Sequence, residues 1–284
     1  MNKRILTALF ALPILIFSII LPYLIPQSEY ANTLFLIIAA FGLSAGLFEF
    51  FSITKKMELK ADAPAAYLGA TAFFIAFLFD APKQMPDLLL LVLFIFIAVL
   101  LVSQTFRFQK DFSRMLIGTG VTLLGVLYVA FLGGFLVAVS TGFTKSAVSY
   151  LSSKLLGYFF LVIMGADTGA YYVGRYLGKR KLAPKISPGK TWEGTIGGIL
   201  LACLLAAVSS ATFFPELSYK VSILLALLMS IIGLFGDLTE SAIKRGAKIK
   251  DAASILPGHG GFLDRLDSLL FNAPILYYFA RFYF

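Results

Sequence analysis

The sequence predicts an all-α, polytopic integral membrane protein with about nine transmembrane helices and a cytoplasmic N-terminus. Three observations carry this. Apolar runs of membrane-crossing length recur along the whole chain, only 14% of the residues are charged against 59% apolar, and lysine and arginine gather in alternate loops. A soluble domain carries roughly 25% charged residues and about half apolar, so the balance marks lipid as the main solvent.

A helix rises about 1.5 Å per residue, so about 17–25 apolar residues cross the hydrocarbon layer. Such runs lie near 5–25, 31–53, 63–79, 87–103, 115–140, 155–174, 194–214, 221–238 and 262–284. The first, MNKRILTALFALPILIFSII, has the basic start of a signal peptide. It continues apolar to about Ile25 without a small-residue cleavage site, which predicts a retained helix. Positive charges in short loops stay on the cytoplasmic side. With the N-terminus inside, only Lys83, Lys145, Lys154, Lys220 and Arg281 of the 24 Lys and Arg residues fall outside. A miscounted span would scramble that asymmetry, so count and orientation support each other.

No loop is long enough to hold a soluble domain, so function must come from the helices and their inner loops. The first five spans are nearly free of ionisable groups, whereas the last four carry acids and bases. The reading divides the chain into N-terminal helices (1–114), a central helix and linker (115–154) and a working region (155–284). Cys203 is the only cysteine, which excludes an intrachain disulfide and a thiolate metal site. The net charge of +9 resides in short loops rather than on one amphipathic face, which fits membrane topology and anionic substrates, not nucleic acid.

The segment from Gly236 to Ser268, GDLTESAIKRGAKIKDAASILPGHGGFLDRLDS, holds most of the chemistry. Asp237 is expected to end the eighth helix. Asp264 and Asp267 lie one turn apart at the start of the ninth, so their carboxylates share a face. Three carboxylates at the inner boundary suit Mg²⁺, a hard cation bound by carboxylates, water and substrate phosphates. Crowded acids leave room for a second cation. The bland reading is that acids in a first turn complement the helix dipole. It accounts for one of them better than for two preceded by a glycine-rich turn with a histidine. Gly258, Gly260 and Gly261 surround His259, the only histidine, where backbone N–H groups can approach an anion at the positive end of the next helix. Ser241, Lys244, Arg245 and Lys248 share one side of a short helix. That stripe either grips lipid headgroups or neutralises a triphosphate.

The second cluster runs from Ala166 to Gly198. Asp167 lies inside the sixth span, where an acid is costly and by default functional; its structural alternative is a buried pair with Arg175 or another cation. Ser187, Lys190 and Thr191, beside Pro188 and Gly189, offer a further phosphate contact in a turn, a weak signal alone.

These segments resemble the phosphatidate cytidylyltransferase family. Its signature is Ser, two residues, Lys-Arg, a basic stretch ending in Lys-Asp, Leu-Pro-Gly-His-Gly-Gly, two residues, Asp-Arg, one residue, Asp. Here it reads SAIKRGAKIKDAASILPGHGGFLDRLD, Ser241 to Asp267, without departure. Asp167, the Gly174-Arg175 pair and the run from Ile186 to Gly194 resemble a second family region, and Glu49 resembles an acid near the inner end of an early span. The resemblance implies attack by the phosphate of phosphatidic acid on the α-phosphorus of CTP, giving CDP-diacylglycerol and pyrophosphate. It implies catalytic Asp237, Asp264, Asp267 and His259, the three aspartates also holding Mg²⁺. Ser187, Lys190, Thr191, Ser241, Lys244, Arg245, Lys248, Asp167 and Arg175 would bind substrate. The phosphate nucleophile is already anionic, so His259 is expected to contact phosphate rather than abstract a proton. A homodimer in the cell (inner) membrane, with its site facing the cytoplasm, follows from the same resemblance.

Three rivals are weighed against it. A secondary transporter would use Asp167 as an ion route, but the acids cluster at one face and the halves show no repeated broken helices. The Asp-Gly, Ala-Arg, Gly, Asp, Asp spacing of CDP-alcohol phosphotransferases is absent. A lipid-binding scaffold leaves Asp264 and Asp267 without a purpose.

Overall fold

The computed structural model describes residues 3–25, 28, 30–107, 112–144, 146–250 and 261–284. In lipid every backbone N–H and C=O must find a partner within its own segment, so apolar runs fold as helices. Each predicted run falls on one: α1 (Lys3–Leu24), α2 (Thr33–Lys56), α3 (Ala63–Leu78), α5 (Pro86–Arg107), α6 (Met115–Gly125) continuing through a π-helical stretch at Val126–Phe131 into α7 (Leu132–Gly142), α8 (Leu151–Leu177), α9 (Trp192–Ala211), α10 (Tyr219–Gly246) and α11 (Leu263–Tyr283). A single turn, α4 (Ala81–Gln84), joins α3 to α5.

Among the described residues, six of these stretches are long and apolar enough to cross a membrane by length and composition, which makes the chain a multi-pass membrane protein. The expected count of nine is not reached by that measure. Helix α3 has 16 residues, and α11 carries Asp264, Arg265, Asp267 and Arg281.

Contacts between loops sort them into two ends. At one, Asn32 donates to the Ser140 carbonyl (2.8 Å), Lys154 pairs with Glu216 (2.6 Å) and the Tyr277 hydroxyl donates to Asp80 (2.5 Å). At the other, Asp62 gathers Ser103, Gln104 (2.8 Å) and Arg107 (3.7 Å) around the start of α3. Burial alone would raise the Asp62 carboxyl, but bonds from Ser103, the Ala65 N–H and Gln104, with the Arg107 charge, outweigh it and hold it below the ordinary value.

Two departures bear on the site. Helix α10 continues to Gly246, so Asp237 lies inside it and Ser241, Lys244 and Arg245 belong to its last turns, not to a separate short helix. Lys248 follows with a positive φ of 56°. The loop after α8 is not irregular throughout: β1 (Lys181–Ala183) pairs antiparallel with β2 (Ser187–Thr191). Pro188 and Gly189 therefore sit in a strand, and the turn is at 184–186.

Candidate active site

Helices pack in lipid chiefly through small residues that let backbones approach. Helices α8 and α9 meet in this way: a Cβ on Gly198 would stand 2.5 Å from the Ala166 carbonyl oxygen. The small α8–α9 contact keeps Asp167, next in sequence to Ala166, close to the hairpin and the start of α9. Thr191 caps α9 by accepting the Gly194 N–H (3.1 Å). The Glu193 carboxylate accepts the N–H groups of Lys179 (3.0 Å) and Arg180 (3.1 Å), which fixes the strand leaving α8. From the other side Arg245 donates to the Ile186 carbonyl (3.0 Å), tying the hairpin turn to α10.

Helices α10 and α11 also cross on small residues. A Cβ on Gly236 would lie 2.5 Å from the Asp267 carbonyl oxygen, so glycine there brings Asp237 and Asp267 together. Ser268 donates to the Gly233 carbonyl (3.2 Å) and Asn272 to that of Met229 (3.0 Å), locking the crossing.

Between α8, the hairpin, α9, α10 and α11 lies a cavity of about 650 Å³. Asp167, Arg175, Ser187, Lys190, Thr191, Asp237, Asp264, Arg265 and Asp267 all line it. Segments from both sequence clusters thus share one wall. Lys190 Nζ stands 2.5 Å from Asp237 Oδ2, and the Ser241 hydroxyl donates to Asp237 Oδ1 (3.3 Å). Arg175 donates to the Tyr171 hydroxyl (3.0 Å) on its own helix. Four aspartates, Asp167, Asp237, Asp264 and Asp267, and three bases, Arg175, Lys190 and Arg265, line the cavity, an acid excess that a cation would relieve.

Asp264 differs. Its Oδ1 lies 2.6 Å from Lys244 Nζ and its Oδ2 accepts the Gly261 N–H (2.8 Å). Lys244 also pairs with Glu240 (2.5 Å), and Glu240 is fully buried. Asp264 therefore belongs to a buried Glu240–Lys244–Asp264 triad at the cavity's edge. Among the described residues no three acid, histidine or cysteine side chains are drawn together as a ready metal cluster. The expected convergence of Asp237, Asp264 and Asp267 is not seen, because Lys244 holds Asp264 and Lys190 holds Asp237.

Ser241, Lys244, Arg245 and Lys248 are absent from the cavity lining. The first three instead hold Asp237, Asp264 and the hairpin. The start of α11, expected to offer free N–H groups to an anion, uses those of Gly261 and Leu263 on Asp264 and Glu49. His259, with Gly258 and Gly260, lies outside the described residues. Sequence reasoning missed Glu240, whose signal was its position four residues before Lys244, and Glu193, visible only as an acid in the first turn of α9.

Residues 2–283 match the model of the cytidylyltransferase family. The chain belongs to that family. A phosphatidate cytidylyltransferase of Bacillus subtilis (strain 168) is 34% identical over 98% of this chain and 97% of its own. One of Staphylococcus aureus (strain COL) is 34% identical over 97% of each chain, and one of Haemophilus influenzae is 47% identical over 46% of each. Membership makes this family protein a nucleotidyltransferase, which removes the transporter and scaffold readings.

Proposed function

We propose that the chain is a phosphatidate cytidylyltransferase, joining CTP to phosphatidic acid to form CDP-diacylglycerol and pyrophosphate in phospholipid biosynthesis. The observation that carries the reading is the cavity in which Asp167, Asp237 and Asp267 meet Lys190, Arg175 and Arg265. An oxygen of the phosphatidate phosphate attacks the α-phosphorus of CTP, a P–O bond forms, and the bond to the β-phosphate oxygen breaks with pyrophosphate as leaving group. Arg175, Lys190 and Arg265 offset phosphate charge and align the attacking and leaving oxygens. Ser187 and Thr191 line the same wall and donate to phosphate oxygens. The nucleophile is an anion near neutral pH, so no side chain need remove a proton.

The acid excess fits a divalent cation. Asp237 and Asp267, with Asp167 lining the same cavity, would hold Mg²⁺, which would supply charge neutralisation at the phosphate oxygens. Asp264 and Lys244 keep the first turn of α11 in place in this reading.

CTP cannot enter hydrocarbon, whereas the acyl chains of phosphatidate lose about 0.8 kcal/mol per CH₂ brought into water. The substrates meet at the interface, and the charge count makes that interface the cytoplasmic one. Cysteines replacing Lys250 and Ser218 in a Cys203→Ala background test the sidedness with an impermeant maleimide on intact cells. Ser218→Cys is expected to react and Lys250→Cys to be protected; the reverse pattern inverts the protein.

The activity itself is tested with purified protein, cytidine-labelled CTP, phosphatidic acid and Mg²⁺. Label is expected in the organic phase only when both substrates are present. None there would remove the assignment.

A further inference from the structure

We propose that Glu49 is a positioning residue for this reaction: from the N-terminal half of the chain, its carboxylate fixes the start of α11 and, through it, the acids of that helix. The inference rests on the reading of the cavity given above. Glu49 Oε2 accepts the Leu263 N–H at 2.7 Å, across 214 positions of sequence. A helix start leaves its first N–H groups without intrahelical partners, and a side chain at the N-cap usually supplies the acceptor. The N-cap of α11 is Phe262, which makes no side-chain cap bond. Helix α2 lends the acceptor, and a carboxylate there also complements the helix dipole.

The rest of α2 reinforces that register. Gly46, one turn before Glu49, faces Leu266: a Cβ there would stand 2.9 Å from Leu266 Cδ1 and 3.3 Å from Val129 Cγ1. Further along, the rings of Phe41 and Phe262 meet edge to face at 5.2 Å. Glu49 is fully buried, and its Oε1 has no hydrogen-bond partner among the described residues. Burying a carboxylate with one oxygen unpaired is unfavourable, so an apolar contact would serve better if α2 and α11 merely had to adhere. What the carboxylate adds is direction: it sets where Leu263 begins the helix, and Asp264 and Asp267 follow from that point on the face toward the cavity. Reacting groups displaced by about 1 Å lose about a hundredfold in rate.

The test uses the full-length protein in detergent, with steady-state kinetics and hydrogen–deuterium exchange read on the same samples. Glu49→Ala is expected to lower kcat about 30- to 100-fold, with KM for CTP and phosphatidic acid within about twofold and faster exchange across 263–267. Glu49→Gln keeps an oxygen acceptor and is expected to recover kcat to within about threefold and to restore protection. Tyr277→Phe, which removes the bond to Asp80 at the other end of α11, controls for stability: its Tm is expected to fall with kcat unchanged. Should Glu49→Ala not fold, Gly46→Val displaces Leu266 with Glu49 in place and is expected to show the same kcat loss. Wild-type kcat per folded molecule in Glu49→Ala, or in Gly46→Val where Glu49→Ala does not fold, overturns the proposal, as does a lowered kcat with unchanged exchange across 263–267. If the wild-type protein forms no lipid nucleotide, the functional reading fails instead, and the exchange data still decide whether Glu49 holds α11.

Discussion

Lys190 Nζ and Asp237 Oδ2 stand 2.5 Å apart, so the hairpin strand β2 and the interior of α10 meet on opposite charges in the cavity wall. The pair joins the two sequence clusters that the resemblance singled out. It also sets the charge a phosphate would meet: a lysine already beside a carboxylate can turn to a phosphate oxygen without a large change in solvation.

Replacing Lys190 by alanine leaves Asp237 without its lysine partner and, in the proposed reading, removes a phosphate contact. Turnover over KM is expected to fall about a hundredfold, which corresponds to about 2.7 kcal/mol. Lys190→Arg keeps the charge and is expected to recover part of it. Steady-state kinetics decide, and a wild-type value for Lys190→Ala would make the pair purely structural.

Asp264 and Asp267, three positions apart, are expected to respond differently to the same change. Asp267→Asn removes a proposed Mg²⁺ ligand from a cavity crowded with acids, so kcat is expected to fall by about 10³-fold while Tm holds or rises. Asp264→Asn breaks the Glu240–Lys244–Asp264 triad, and losing one partner of a buried ion pair costs about 3–5 kcal/mol. Thermal unfolding in detergent is expected to show a lower Tm for Asp264→Asn alone. Equal Tm values for both variants would contradict the division of roles.

Chelation gives a separate check on the acid excess around Asp237 and Asp267. Turnover is expected to vanish with EDTA and to return with added Mg²⁺. Undiminished turnover in chelated protein would remove the metal from the account.

Asp62 provides a pH dependence away from the cavity. Its folded carboxyl is held below its unfolded value of about 3.9. The stability it contributes is therefore fully present above that value and is lost as pH falls through the folded one. Asp62→Asn is expected to lower Tm at neutral pH, with the gap to wild type closing below about pH 4. A gap that stays constant with pH would show that the carboxylate charge is not what matters.

The sequence made the acids legible because an ionisable group in an apolar run needs a reason. Asp167, Asp237 and Asp267 are all found on the cavity wall, and the helices follow the apolar runs. The partners were harder to see. Lys244 lies one turn after Ser241 on α10, but spacing cannot say that it turns to Asp264, 20 positions further on. The hairpin carries no local strand signal, because its strands are three and five residues long and rich in lysine, proline and glycine. The Glu49–Leu263 bond depends on how α2 and α11 pack, which no local pattern encodes. Helices α8 and α10 run past the ends of their apolar stretches because their last turns carry polar residues, Arg175 in one and Lys244 and Arg245 in the other, which break the apolar run without breaking the helix.

The central claim is cytidylyl transfer onto phosphatidate at the cavity of Asp237, Asp267 and Lys190, and α- and γ-³²P-labelled CTP test it directly. The account predicts that wild-type protein carries the α label into the lipid phase and releases the γ label as pyrophosphate in equal amount. Asp267→Asn, folded to the same extent, is predicted to do neither at more than about a thousandth of the wild-type rate. Lipid carrying the γ label, or Asp267→Asn working at the wild-type rate, would contradict it.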